Sequence, residues 1–250
     1  MKKGFVKLEV VHQVGYITFY HPAGNSLPST LLQELQYQIK TAGKNDEIKT
    51  IVLQSEGKTF CAGASFDELM SLKTMEQAEK FFMGFAHVIN AMRKNPKFII
   101  AKVQGKAVGG GVGLIAASDY AIAHHNAAIK LSELSLGIGP YVIAPAVKRK
   151  INTAAFSELS INASSWHTAF WAREKGLFAK VSENMESLWK EIELLTNKLV
   201  TYDPLATEKL KFELWKGTEH WDKFLKEQAK ITAELTIREI TQNNLRKYKK

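Results

Sequence analysis

At 250 residues the chain suits one large domain or a core with a smaller helical appendage, and 45% hydrophobic with 24% charged residues excludes a disordered or fibrous polymer. The 34 Lys and Arg against 25 Asp and Glu give a formal charge of +9, which favours anionic partners, and the single cysteine, Cys61, cannot form an internal disulfide. No apolar window reaches about 18 residues, and Met1-Lys2-Lys3-Gly4 leads into alternating residues rather than an apolar run, so neither a membrane span nor a signal peptide is expected and the chain is assigned to the cytoplasm.

From the N-terminus, Phe5 to Val11 and Gly15 to Tyr20 alternate like paired strands joined near Gln13-Val14-Gly15. After Pro28, the spacing of Leu31, Leu32, Leu35 and Ile39 predicts a helix. Thr50 to Gln54 reads as a short buried strand, Phe66 to Leu72 and Met75 to Met92 as helices, and Phe98 to Val103 as a second buried strand. Gly109-Gly110-Gly111 then opens an apolar run, Val112 to Ala117, that reads as the start of a buried helix. Tyr120 to Ala123 and Ala128 to Leu131 follow as short strands. From Glu186 onward helical spacing dominates, broken at Tyr202-Asp203-Pro204. The pattern predicts an α/β fold with residues 1–195 as core and 196–250 as a helical region. No fixed-period repeat or Gly/Ser-rich linker separates them.

The triple glycine carries the most chemistry. It leaves bare backbone N–H groups at a helix mouth, where a developing oxyanion can be held and no Cβ obstructs a ligand. Taken alone, the same turn serves equally as a tight strand-to-helix connection. A second glycine-bearing turn, Gly57 to Asp67, follows the Thr50 strand, and a third segment runs Ser132-Glu133-Leu134-Ser135-Leu136-Gly137. Together with Pro22-Ala23-Gly24-Asn25-Ser26-Leu27 and Ala172-Arg173-Glu174-Lys175-Gly176-Leu177, these ordered segments resemble the crotonase (enoyl-CoA hydratase/isomerase) superfamily.

That resemblance implies a crotonase-like ββα spiral core followed by C-terminal helices that mediate trimerisation, with trimers commonly paired into hexamers. It implies coenzyme A as the carrier part of a substrate thioester, with no permanently bound cofactor. The two oxyanion-binding N–H groups of the family fall on Ala64 and Gly110. Substrate and CoA contacts fall on Ala62, Gly63, Ser65, Phe66 and Gly109, with Asn25 and Ser26 shaping the carrier-binding turn. Of the two glutamates used by hydratases, the first falls on Gly113, which has no side chain, and the second on Glu133. A single carboxylate resembles the Δ3-Δ2-enoyl-CoA isomerases, in which one base shuttles a proton between C2 and C4. Apolar neighbours such as Leu131, Leu134 and Leu136 would raise the pKa of such a base.

Other outcomes of the scaffold stay open. Hydration, including the methylglutaconyl-CoA type, needs another group to orient water, for which Ser135, Tyr141 and His87 are candidates. Decarboxylation of a malonyl-type thioester needs little beyond the oxyanion hole, and Tyr141 keeps it in view. A dinucleotide-binding reading of Gly111 to Ala116 is weakened by Gln104 to Val108, which separate it from the strand. A basic RNA-binding or catalytically silent oligomer is the non-enzymatic alternative, although the lysines are scattered and no nucleic-acid motif occurs. Metal binding is not expected: His124 and His125 would diverge in a strand, and the other histidines lack ligand spacing. The group Trp166-His167-Thr168-Ala169-Phe170-Trp171 is expected to pack a helix.

Overall fold

In the computed structural model, which describes residues 4–248, the first two strands close a hairpin, β1 (Phe5–Val11) antiparallel to β2 (Val14–Tyr20). Its two-residue turn is His12-Gln13, both at positive φ (48° and 65°), the handedness that matches strand twist. The junction thus lies before the expected Gln13-Val14-Gly15, because Val14 already pairs with Val11 and is buried.

Helix α1 (Ser29–Lys44) follows, then β3 (Thr50–Ser55), α2 (Phe66–Ser71), α3 (Met75–Arg93), β4 (Ile99–Val103), β5 (Ala107–Val108) and α4 (Gly110–Ala117). Next come β6 (Tyr120–His124), β7 (Ala128–Lys130), α5 (Glu133–Leu136), α6 (Ala144–Ile161), β8 (His167–Thr168), α7 (Ala169–Glu174) and β9 (Lys180–Ser182). Four helices end the chain: α8 (Met185–Leu199), α9 (Pro204–Leu214), α10 (Trp221–Thr236) and α11 (Glu239–Tyr248).

Six strands form one sheet in the order β1-β2-β3-β4-β6-β9, parallel from β2 onward, and β5-β7-β8 form a second, smaller sheet. Alternation decides the two faces of the large sheet. Ile17, Leu53 and Ala101 point into the main core with α1 and α3, whereas Val52, Ile100 and Ile122 meet Leu188 and Ile192 of α8 on the other side. Helix α4 is buried along its whole length, which is why its sequence is apolar on every side.

The expected division at residue 195 falls inside α8, whose apolar face continues on the sheet; the chain turns away only after Leu199. Asp203 then caps α9 through its side chain. Helix α10 packs along α3, and α11 packs on α2 and α5, so the C-terminal helices close over the core. Two expectations are corrected. Trp166 and Phe170 are exposed (42% and 58%), because the segment changes from strand β8 to helix α7 between them. His124 and His125 do not diverge: β6 ends at His124, and the rings stack with centroids 4.4 Å apart. Among the described residues no helix is long and apolar enough to cross a membrane.

Candidate active site

Two glycine turns are stitched side by side by main-chain hydrogen bonds. Phe60 N and Cys61 N donate to Lys106 O (2.9 and 3.2 Å), and Val108 N donates to Cys61 O (2.9 Å). The approach leaves no room for Cβ atoms: one on Gly63, which has φ +86°, would lie 2.9 Å from Val108 O, and one on Gly111 would lie 2.7 Å from Cys61 O. Leu27 brackets Ala64, donating to Gly63 O (2.8 Å) and accepting from Ser65 N (3.2 Å). The Ala64 amide itself donates to no protein acceptor among the described residues. Gly110, the first residue of α4, likewise has no intrahelical acceptor for its N–H.

Ala64 and Gly110 line one cavity of about 60 Å³ together with Glu133. Its walls are apolar, with Phe66, Leu69, Phe82, Phe85, Leu136 and Ile143 prominent, and its titratable lining groups are Glu133 and Tyr141. Glu133 begins the single-turn helix α5 and leans over the triple glycine: a Cβ on Gly109 would lie 2.6 Å from Glu133 Oε1. Oε2 is sealed from solvent and has no hydrogen-bond partner among the described residues. Burial pushes this carboxyl up to about 7, against a backbone hydrogen bond that lowers it. A carboxyl with that value is half ionised near neutrality, so it can both accept and return a proton.

Gly113, the fourth residue of α4, does not line the cavity, and the space beside it is filled. A Cβ there would sit 2.4 Å from Ile143 Cγ2 and 2.8 Å from its Cβ. Of the three leucines expected to wall the carboxyl, Leu136 does so, Leu131 packs in the core, and Leu134 is 55% exposed. A one-turn helix offers the cavity only part of its circumference.

Of the other expected residues, Ala62, Gly63, Phe66, Gly109 and Tyr141 line the cavity, with Tyr141 at its exposed rim. Asn25, Ser26 and Ser65 do not. Asn25, at φ 60°, donates to Glu56 O and Thr59 O (2.7 Å each) and accepts from His21 N (2.8 Å), tying the segment before α1 to the loop after β3. Ser26 Oγ meets His21 Nδ1 at 3.0 Å, and Ser65 Oγ caps α2 by accepting from Glu68 N. His87 faces a separate groove with Gln36 and Lys40, and Ser135 Oγ donates to Ser132 O (2.7 Å). Residues the sequence did not single out include Phe82, Phe85, Ile143 and Thr232. Phe82 and Phe85 show the i, i+3 spacing of a buried helix face, but nothing local marks Thr232 as a neighbour of Glu133.

The enoyl-CoA hydratase/isomerase family matches this chain across residues 9–248. The chain belongs to that family. Among its relatives, the short-chain-enoyl-CoA hydratase of Clostridium acetobutylicum is 30% identical over 222 residues, 88% of this chain and 84% of that protein. A probable enoyl-CoA hydratase of Bacillus subtilis is 32% identical over 155 residues, a match that takes in 62% of this chain and 60% of the relative. The fold of an enoyl-CoA hydratase from Bacillus halodurans superposes with a TM-score of 0.90 at 22% identity, covering 97% of this chain and 99% of the other. An enoyl-CoA hydratase/isomerase from Marinobacter aquaeolei gives 0.80 at 26% identity, covering 89% and 87%. Membership in the enoyl-CoA hydratase/isomerase family thus accompanies a crotonase-like fold with C-terminal helices.

Proposed function

We propose that this family member is a Δ3-Δ2-enoyl-CoA isomerase working through one carboxylate. The observation that carries the reading is the pairing of Glu133, the one carboxylate lining an apolar cavity and with Oε2 unpartnered among the described residues, with a Gly113 site that Ile143 fills. Glu133 takes a proton from C2 of a 3-enoyl thioester, the electron pair delocalises into a dienolate, and the same carboxyl returns the proton to C4. The 2-enoyl thioester results with no water consumed. Ala64 N–H and Gly110 N–H, both without protein acceptors among the described residues, hold the enolate oxygen. A donor of this kind contributes roughly 3 to 4 kcal/mol to the transition state. Coenzyme A is the proposed carrier.

Hydration is the second reading, favoured by the hydratase names of the relatives in C. acetobutylicum and B. subtilis. It needs a further group to orient water, and Tyr141 is the other titratable residue of the lining. Offering the purified protein 3-enoyl-, 2-enoyl-, 3-methylglutaconyl- and methylmalonyl-CoA separately tests both readings and decarboxylation. Conjugation of the 3-enoyl substrate without water addition is expected. Hydration of the 2-enoyl substrate as the dominant reaction overturns the isomerase reading.

A homotrimer or hexamer is also proposed. Helix α9 supports it, because Leu205, Leu210, Phe212 and Leu214 are exposed while Lys211 is fully buried. Light scattering on the purified protein checks the assembly. A monomer at working concentration contradicts it.

A further inference from the structure

Helix α5 has four residues, too few to hold its own geometry, since one turn fixes several backbone dihedrals for very few hydrogen bonds. Its last carbonyls have no intrahelical partner. Glu133 O and Leu134 O are met locally by Ile138 N and Gly137 N (3.1 Å each), whereas Leu136 O and the C-cap carbonyl of Gly137 are met from the far end of the chain. Thr241 Oγ1 donates to Gly137 O (3.2 Å) and Asn244 Nδ2 donates to Leu136 O (3.4 Å), both from α11. Thr241 is fully buried, and Gly137, at φ +93°, lies so near it that a Cβ would sit 2.7 Å from Thr241 Oγ1. On the same helix, Gln242 Nε2 donates to Leu69 O (3.2 Å), on the cavity wall, and to Thr236 O (3.0 Å) at the end of α10.

We propose that α11 is a clamp on the helix that bears Glu133, with Thr241 and Asn244 as positioning residues that set the direction of its carboxyl. This rests on Glu133 being the acid-base group. Neither residue lines the cavity, so neither touches substrate; each acts by fixing the C-terminal end of α5, one turn from Glu133. Loss of the clamp lets α5 rotate and carries the carboxyl out of its apolar surroundings and away from the triple glycine. The groups facing Glu133 in the cavity are apolar apart from Ser132, Thr232 and Tyr141, so the ionisation of Glu133 reports its place.

The test compares Thr241→Val, which keeps the shape and removes the donor, with Thr241→Ser, which keeps the hydroxyl, in the full chain. Two readouts are taken: steady-state kinetics with a 3-enoyl-CoA, and infrared titration of the Glu133 carboxyl, isolated by subtracting the spectrum of Glu133→Gln. Thr241→Val is expected to lower kcat by about 10-fold with KM unchanged. It should also move the titration midpoint of Glu133 down by about one pH unit, and Thr241→Ser should restore both. An unchanged midpoint and kcat in Thr241→Val, or a loss that Thr241→Ser shares, overturns the clamp. The infrared readout needs no turnover: a midpoint that shifts in Thr241→Val in a protein inactive on every 3-enoyl-CoA sinks the isomerase reading and leaves the clamp standing.

Discussion

Two buried carboxylates in this chain have opposite surroundings. Asp119, between α4 and β6, is saturated with donors: Ile99 N (2.7 Å) and Lys211 Nζ (2.8 Å) on Oδ2, and Trp215 Nε1 (2.8 Å) on Oδ1. Lys211 is fully buried and also donates to Lys97 O (2.8 Å), so the pair fastens the C-terminal helices to the parallel sheet. Glu133 faces apolar walls with one oxygen unpartnered. The first arrangement engages both oxygens in holding the fold, and the second leaves one oxygen free for a substrate proton. A group left unsatisfied in a low-dielectric site costs stability, which is a recurrent mark of catalytic positions.

The sharpest way to break this contrast is to neutralise Glu133. Glu133→Gln keeps the shape and removes the titration, and turnover of a 3-enoyl-CoA is expected to fall about 10²- to 10⁴-fold, with the fold intact by circular dichroism. An active Glu133→Gln would make that cavity structural after all. Next in size is the other carboxylate. Lys211→Met leaves Asp119 without its buried counter-charge and should lower unfolding stability by about 3 to 5 kcal/mol. Adding Asp119→Asn should recover much of that loss, since the uncompensated charge goes with it. Urea denaturation of the single and double variants measures both, and additive losses would mean that the two groups do not interact.

That Glu133 lies beside the two glycine turns was legible in the sequence because its neighbours form a recognisable segment, whereas the Asp119–Lys211 pair was invisible. Its partners are 92 residues apart, and a lysine flanked by Leu210 and Phe212 reads locally as the exposed position of a helix. Helix α9 inverts that expectation, burying the lysine and exposing the leucines. The strands and long helices were legible where periodicity was strong. The hairpin turn was displaced because His12 and Gln13 are not the residues that usually announce positive φ. Asn25 bonds loop main chain and Ser26 meets His21, as residues that shape a turn do, whereas Ser65, expected at the ligand, caps α2, since a buried polar side chain beside a glycine turn bonds main chain as readily as substrate.

Gly113 tests the contrast from the packing side. A methyl group there meets Ile143, so Gly113→Ala is expected to cost roughly 1 to 3 kcal/mol despite the better helix propensity of alanine. Ile143→Ala in the same chain should relieve the clash and leave the double variant more stable than the sum of the singles predicts. A Gly113→Ala protein as stable as the parent would show that this space can admit a side chain, and with it a second carboxylate.

The smallest effect follows from the pH dependence of stability. Glu133 titrates near 7 in the folded chain against an ordinary value of 4.5, so the folded state binds the extra proton between those two pH values. Ionising Glu133 is therefore harder in the folded state, and its contribution to stability falls as pH rises from about 4.5 to 7, then stays at its lowest. Glutamine cannot ionise and escapes this penalty. Glu133→Gln should gain on the parent as pH rises from 4.5 to 8, by an amount set by the shift alone, because any cost of its unpartnered amide is the same at both pH values. Asp119→Asn, which surrenders a charge-assisted bond to Lys211, should be less stable than the parent at pH 8. Urea midpoints of parent and both variants at the two pH values decide the matter. A parent-to-Glu133→Gln gap that stays constant with pH would mean that the apolar walls do not hold the proton on Glu133, and that the two carboxylates differ in partners but not in chemistry.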